Sequence, residues 1–154
     1  MIIVLYKPEI PQNTGNIVRT CSVTGTDLVL VRPLGFETTD RYLKRAGLDY
    51  WNEVNIKYID DLPSYLEKQN KPFYFFSSKA TKYYTDISYT EDTILIFGSE
   101  SSGLDPSFYK TYESQLAKIP MINSARCLNL SNAVSIVLYE GLRQTGFCMK
   151  TQTP

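Results

Sequence analysis

Four short stretches of this chain, Ile2–Tyr6, 28–31, Phe73–Phe76 and 93–97, are apolar with little or no alternation, and 116–119 reads as a last strand. A strand with one wet face alternates apolar and polar side chains, whereas a strand covered on both faces need not. The chain therefore has to lay these runs in a sheet sandwiched between other elements. The stretches between them supply those elements. Asn13 or Thr14 caps a helix running to about Thr24 and ended by Gly25, and Pro63 opens a helix over 63–69. Pro106 suits the first turn of a short helix. Ser131 caps a final helix in which Val134, Val137, Leu138, Gly141 and Leu142 recur at helical spacing, with Gly146 just past its end. With Ile56–Ile59 as one further strand, the expected fold is α/β: a mostly parallel sheet with helices on both faces.

The length of 154 residues suits a single domain over 1–154. No run approaches the roughly 18 apolar residues that would cross a bilayer, and the opening apolar run is too short for a signal peptide and has no basic leader. A cytoplasmic protein without membrane association is expected. The sequence contains no histidine, which excludes Ser-His-Asp and Cys-His catalysis and the commonest transition-metal ligand. Cys21, Cys127 and Cys148 are scattered and form no CxxC, so no metal is expected. Sixteen basic and sixteen acidic side chains balance to zero, and a nucleic-acid partner would have to be met by a local patch. Arg41, Lys44 and Arg45, spaced i, i+3, i+4, are the candidate, with a solvated helix face as the alternative reading.

In open parallel sheets ligands bind beyond the carboxyl ends of the strands. That directs attention to the loops after Tyr6, Phe76, Phe97 and Ile119. In the first, Asn16 and Arg19 lie one helical turn apart near a helix N-terminus, a combination suited to an RNA phosphate or simply to a cap and a surface arginine. The second, Phe97-Gly98-Ser99-Glu100-Ser101-Ser102-Gly103-Leu104, lets a ligand approach the backbone at Gly98 and holds Glu100 at the strand mouth. It matches neither a Walker loop nor GxGxxG, and a plain turn stays open as a reading. The third, Ile119 through Asn132, crowds polar side chains beside Ile119, Met121 and Leu128, as a pocket wall would.

Taken in order, an N-x-x-R helix start, an F-G-x-E-x-x-G-L turn and an I-P-M followed by L-N-L-S-N-A-V resemble the three motifs of the SPOUT methyltransferases. The opening Leu5-Tyr6-Lys7-Pro8-Glu9-Ile10-Pro11-Gln12-Asn13-Thr14-Gly15-Asn16, with Pro33-Leu34-Gly35-Phe36 and Gly47-Leu48-Asp49-Tyr50, is similar to the small single-domain members that methylate the wobble nucleotide of certain leucine tRNAs. The likeness covers nearly the whole chain.

The resemblance implies a C-terminal deep trefoil knot and S-adenosylmethionine held by backbone groups around Phe76, Gly98, Ile119, Met121, Cys127 and Leu128, leaving S-adenosylhomocysteine as product. It implies 2′-O-methylation of ribose at position 34 of tRNA, with Arg19 at the reacting hydroxyl or the adjacent phosphate. Asn16, Glu100, Asn129 and Ser131 would orient it. Arg126, Tyr139 and the Arg41, Lys44, Arg45 patch would touch RNA. It implies a homodimer with the first and last helices, including Tyr139 and Gly141, at the interface. The chain departs from the family at Ser102, where a basic residue is common, and at Asn123-Ser124-Ala125-Arg126-Cys127, where Asn-Ser-Arg-Ser is common. Another tRNA position, ribosomal RNA, or a non-catalytic RNA- or nucleotide-binding module are the alternative readings, with a flavodoxin-like small-molecule enzyme beyond them.

Overall fold

The computed structural model describes residues 1–37, 50–122 and 127–149. Within them the order is β1 (Ile2–Tyr6), α1 (Pro11–Thr24), β2 (Asp27–Val31), β3 (Ile56–Ile59), α2 (Leu62–Gln69), β4 (Phe73–Phe76), β5 (Ile94–Phe97), α3 (Pro106–Thr111), β6 (Leu116–Ala117) and α4 (Leu130–Gln144). The strands form one sheet in the order β3-β2-β1-β5-β4-β6, and every pairing is parallel.

The absence of alternation in the sequence has its physical counterpart here. Ile3, Leu5, Leu28, Leu30, Leu95 and Phe97 point to one face, where Ile17, Val18 and Cys21 of α1 and Val134, Val137 and Leu138 of α4 cover them. Val4, Val29, Val31, Phe75, Ile94 and Ile96 point to the other, under Leu62, Tyr65 and Leu66 of α2 and Phe108 of α3. Burying one such side chain is worth about 1.5–3 kcal/mol over leaving it exposed, so both coverings are required for the central strands to be stable.

The strand limits at Phe73–Phe76 and Ile56–Ile59 agree with the sequence reading, while β6 stops at Ala117, two residues short of Ile119. Gly25 ends α1 in the left-handed conformation, its amide turned back to Cys21 and Ser22 carbonyls. Two caps differ from expectation. Helix α1 begins at Pro11 with Ile10 as its N-cap, so Asn13 and Thr14 lie inside the helix and are buried. Helix α4 is capped by Asn129, whose side chain accepts from the Ser131 and Asn132 amides; Ser131 is already helical. The basic trio Arg41, Lys44 and Arg45 lies outside the described residues.

Candidate active site

The carboxyl ends of the central strands and the chain on either side of residues 123–126 enclose a cavity of about 600 Å³, a size ordinary for a site holding a small organic ligand. Its apolar wall includes Phe76, Ile119, Met121 and Leu128, and its polar side includes Asn13, Glu100 and Asn129. The β5 turn is folded tightly on itself. Ser99 and Gly103 exchange two backbone hydrogen bonds, each 3.0 Å, and a Cβ at residue 98 would stand 2.2 Å from the Gly103 carbonyl carbon. Only glycine allows that turn, and it leaves backbone rather than side chain facing the cavity.

Glu100 is the hub of the polar side. Its carboxylate accepts from the Glu9 amide at 2.8 Å, the Ile10 amide at 3.2 Å and the Asn13 side-chain amide at 2.9 Å. Helix α1 has no side-chain cap because Ile10 carries no acceptor, and a carboxylate from 90 residues away holds the Glu9 and Ile10 amides just ahead of its first turn. Glu9 answers in kind, accepting from the Ser101 amide and hydroxyl at 3.2 and 2.8 Å. From Asn13 the network continues: its side-chain oxygen accepts from Asn129 at 2.8 Å, and Asn129 in turn caps α4 through the Ser131 amide and hydroxyl. One carboxylate thus ties the starts of α1 and α4 to the β5 turn.

This arrangement reassigns the anion at the start of α1. The positive helix end suits an RNA phosphate, but the Glu100 carboxylate lies beside it, on the Glu9 and Ile10 amides. It also divides the residues grouped by motif. Phe76, Gly98, Glu100, Ile119, Met121, Cys127, Leu128 and Asn129 line one cavity. Ser131 lies just behind the wall, 8% exposed, with its hydroxyl donated to Asn129. Asn16 and Arg19 are outside the cavity on the exposed side of α1, and the Arg19 guanidinium stands 5.3 Å over the Tyr50 ring. Tyr139 is 45% exposed on α4, also away from the cavity. Arg126, Asn123 and Ser124 lie outside the described residues.

The sequence reading missed Asn13 as part of the site. The signal was Pro11: a proline in the first helical turn makes the residue two places on helical rather than capping. It also passed over Ser77, Lys79 and Tyr109 on the far wall, where the Ser77 and Tyr109 hydroxyls meet at 2.9 Å. Cys21 belongs to the core, where burial pushes its thiol well above the ordinary range, while Cys127 faces the cavity.

With this geometry in place, similarity to known proteins is specific. The family model described as the SpoU rRNA Methylase family matches residues 1–139. A tRNA (cytidine(34)-2′-O)-methyltransferase of Escherichia coli K12 is 43% identical over 147 residues, covering 94% of both chains. A solved structure concerned with the 2-OH methylation of C/U34 on tRNA is 40% identical, with a TM-score of 0.86 over 93% of this chain and 94% of that one. The SpoU methyltransferase AviRb of Streptomyces viridochromogenes, solved in complex with AdoMet, shares the fold at 22% identity, with a TM-score of 0.80 over 94% of this chain and 60% of that one.

Proposed function

This chain belongs to the SpoU rRNA Methylase family, and we propose that it methylates the ribose 2′-hydroxyl at position 34 of tRNA, using S-adenosylmethionine. The observation that carries this reading is the cavity itself. Gly98, Glu100, Ile119, Met121 and Leu128 come from separate motifs and meet on one wall system, at the carboxyl ends of the strands.

The cavity fits the cofactor chemically. Phe76, Ile119, Met121 and Leu128 offer apolar contact for an adenine, and the bare backbone at Gly98 offers hydrogen-bonding groups without steric cost. When bound, S-adenosylmethionine supplies an electrophilic methyl group on a sulfonium. The chain's own contribution is orientation and charge placement. Glu100, Asn13 and Asn129 hold the walls in register, since their hydrogen bonds fix two helix starts and a turn at once. Arg19 binds the phosphate beside the target ribose and aligns the hydroxyl.

The chain acts as a homodimer through α1 and α4. Supporting this, the outer faces of the two packed helices expose Val23 at 60%, Ile136 at 37% and Tyr139 at 45%. Arg19 and Asn16, which stand outside their own chain's cavity, then gain a site to serve: the cavity of the second copy. The deep trefoil knot belongs to the same reading, supported by the return of the chain from β6 at the sheet edge to α4, which packs on α1. A single domain in the cytoplasm carries the activity; no helix among the described residues is long and apolar enough to cross a membrane.

The decisive experiment incubates the protein with S-adenosylmethionine and unfractionated bacterial tRNA and maps methylated fragments by mass spectrometry. A new 2′-O-methyl group at position 34, with leucine tRNAs foremost, is expected. A methyl group at another tRNA position or on ribosomal RNA reassigns the target. Cofactor binding with no transfer to total RNA overturns the enzymatic reading.

A further inference from the structure

On a chain of zero net charge, one edge of the sheet is strongly basic. Edge strand β6 continues into Lys118, which pairs in parallel with Tyr83; the Lys118 amide donates to the Lys82 carbonyl and the Tyr84 amide to the Lys118 carbonyl, both at 2.9 Å. This pairing fixes Lys82, Tyr83 and Lys118 side by side. Their ammonium groups lie over aromatic rings: Lys82 over Tyr74 at 5.7 Å and Lys118 over Tyr83 at 5.4 Å. Lys79, on the cavity wall, lies over Tyr109 at 5.1 Å. Among the described residues none of these lysines is within salt-bridge distance of a carboxylate. Asp86, the acid nearest Lys82 and Tyr83 in sequence, accepts from the Tyr83 amide at 3.2 Å.

From this arrangement we infer that Lys82, Tyr83 and Lys118 form a binding track for a single-stranded stretch of the RNA substrate, leading to the cavity mouth. The inference rests on the methyltransferase reading for the identity of the RNA. Three observations carry it. Unpaired ammonium groups are the complement of phosphate, and phosphate contact supplies most of the affinity for nucleic acid. Tyr83 is 46% exposed, with Lys118 over its ring, so it offers aromatic surface of the kind on which unpaired bases stack. Finally, the track is continuous with the site: Ile119, next to Lys118, and Lys79 both line the cavity. Resting the lysines against rings also restricts their motion, so less conformational freedom is lost when a phosphate arrives.

Lysines at a sheet edge have another established use, blocking edge-to-edge association. The experiment separates the two. Affinity of the full chain for unfractionated tRNA is measured from low to moderate salt, beside kcat and KM for methyl transfer, calorimetric affinity for S-adenosylhomocysteine, and the oligomeric state. Variants are Lys82→Ala, Lys118→Ala, Tyr83→Ala and Tyr83→Phe. Lys57→Ala serves as control, since Lys57 lies over Tyr65 on the opposite edge strand at 5.4 Å.

Each track lysine removed lowers the slope of log affinity against log salt by about 0.7. Tyr83→Ala weakens binding roughly tenfold without changing the slope, and Tyr83→Phe restores it. The losses fall on KM, while kcat and cofactor affinity hold. Unchanged slopes and KM in the track variants, or an equal loss from Lys57→Ala, overturn the inference. So does self-association of the variants at undiminished RNA affinity, which makes the lysines edge guards. If the wild type transfers methyl to no RNA, the functional reading has failed instead, and the salt slopes still report on the track.

Discussion

Asn13 and Asn16 sit three residues apart on the same helix and lead opposite lives. Asn13 is 5% exposed and spends both ends of its amide, donating to Glu100 and accepting from Asn129. Asn16 is exposed, and beside it Arg19 has no carboxylate partner among the described residues, only the face of Tyr50. The inward side of α1 is finished by folding, with its polar groups matched to one another. The outward side makes no such match among the described residues, and the proposed function puts a ligand there. A helix can therefore belong to a site twice, once as scaffold and once as reagent, and the two roles fail differently when broken.

The largest effect is expected on the outward side. Arg19→Ala should lower methyl transfer by about 10²–10³, the cost of removing one group that positions or stabilises charge in a transition state. Stability should stay within about 0.5 kcal/mol, as for most surface substitutions, and cofactor affinity should not change. Steady-state kinetics, denaturant melts and calorimetry check the three parts. A variant that loses stability as much as activity would erase the distinction between the two faces.

Glu100→Ala attacks the inward side and should do the reverse. It leaves the Glu9 and Ile10 amides and the Asn13 amide without their acceptor. Partial exposure lets water replace some of these bonds, and a loss of about 3 kcal/mol is expected, read as a lowered urea midpoint at unchanged m. Cofactor affinity should fall with it, because the β5 turn is no longer tied to α1. Glu100→Gln keeps one acceptor oxygen and should recover about half of the loss.

The asparagine pair provides a direct contrast within one helix. Asn13→Ala removes the link between Glu100 and Asn129 and should cost about 2 kcal/mol, since it leaves polar groups in a largely buried place unpaired. Asn16→Ala should stay within about 0.5 kcal/mol. Equal losses at the two positions would show that burial on α1 is not what separates them.

Much of this was legible in the sequence for one physical reason. Strands covered on both faces are continuous apolar runs, so Ile2–Tyr6 and Phe73–Phe76 show their limits directly. The apolar half of the cavity wall was legible too, since Ile119, Met121 and Leu128 stand beside a polar loop that has more donors than one helix cap needs. What escaped was nonlocal. The amides just ahead of α1 are held by a carboxylate from the β5 turn, and no local pattern around Ile10 signals it. Asn13 was read as a cap because an asparagine near a helix start usually is one, and its true partners lie 87 and 116 residues away. The basic edge escaped for the same reason: Lys82 and Lys118 meet only through strand pairing.

The smallest effect tests where the inward network ends. Asn129 accepts from the Ser131 amide at 2.9 Å and the Ser131 hydroxyl at 2.7 Å, while donating to Asn13. Asn129→Ala therefore removes the α4 cap, worth about 1 kcal/mol, and also leaves the buried Asn13 oxygen unpaired, so about 2 kcal/mol of stability should go with it. Ser131→Ala removes only a second donor to an oxygen that the amide already satisfies, and it should cost less than Asn129→Ala, within about 0.5 kcal/mol. Denaturant melts of the two single variants and the double then locate the boundary. If Ser131 matters only through Asn129, the double variant should be no less stable than Asn129→Ala alone. Additive losses would mean that the Ser131 hydroxyl has a second role, independent of the Asn129 cap, and that the network does not end at Asn129.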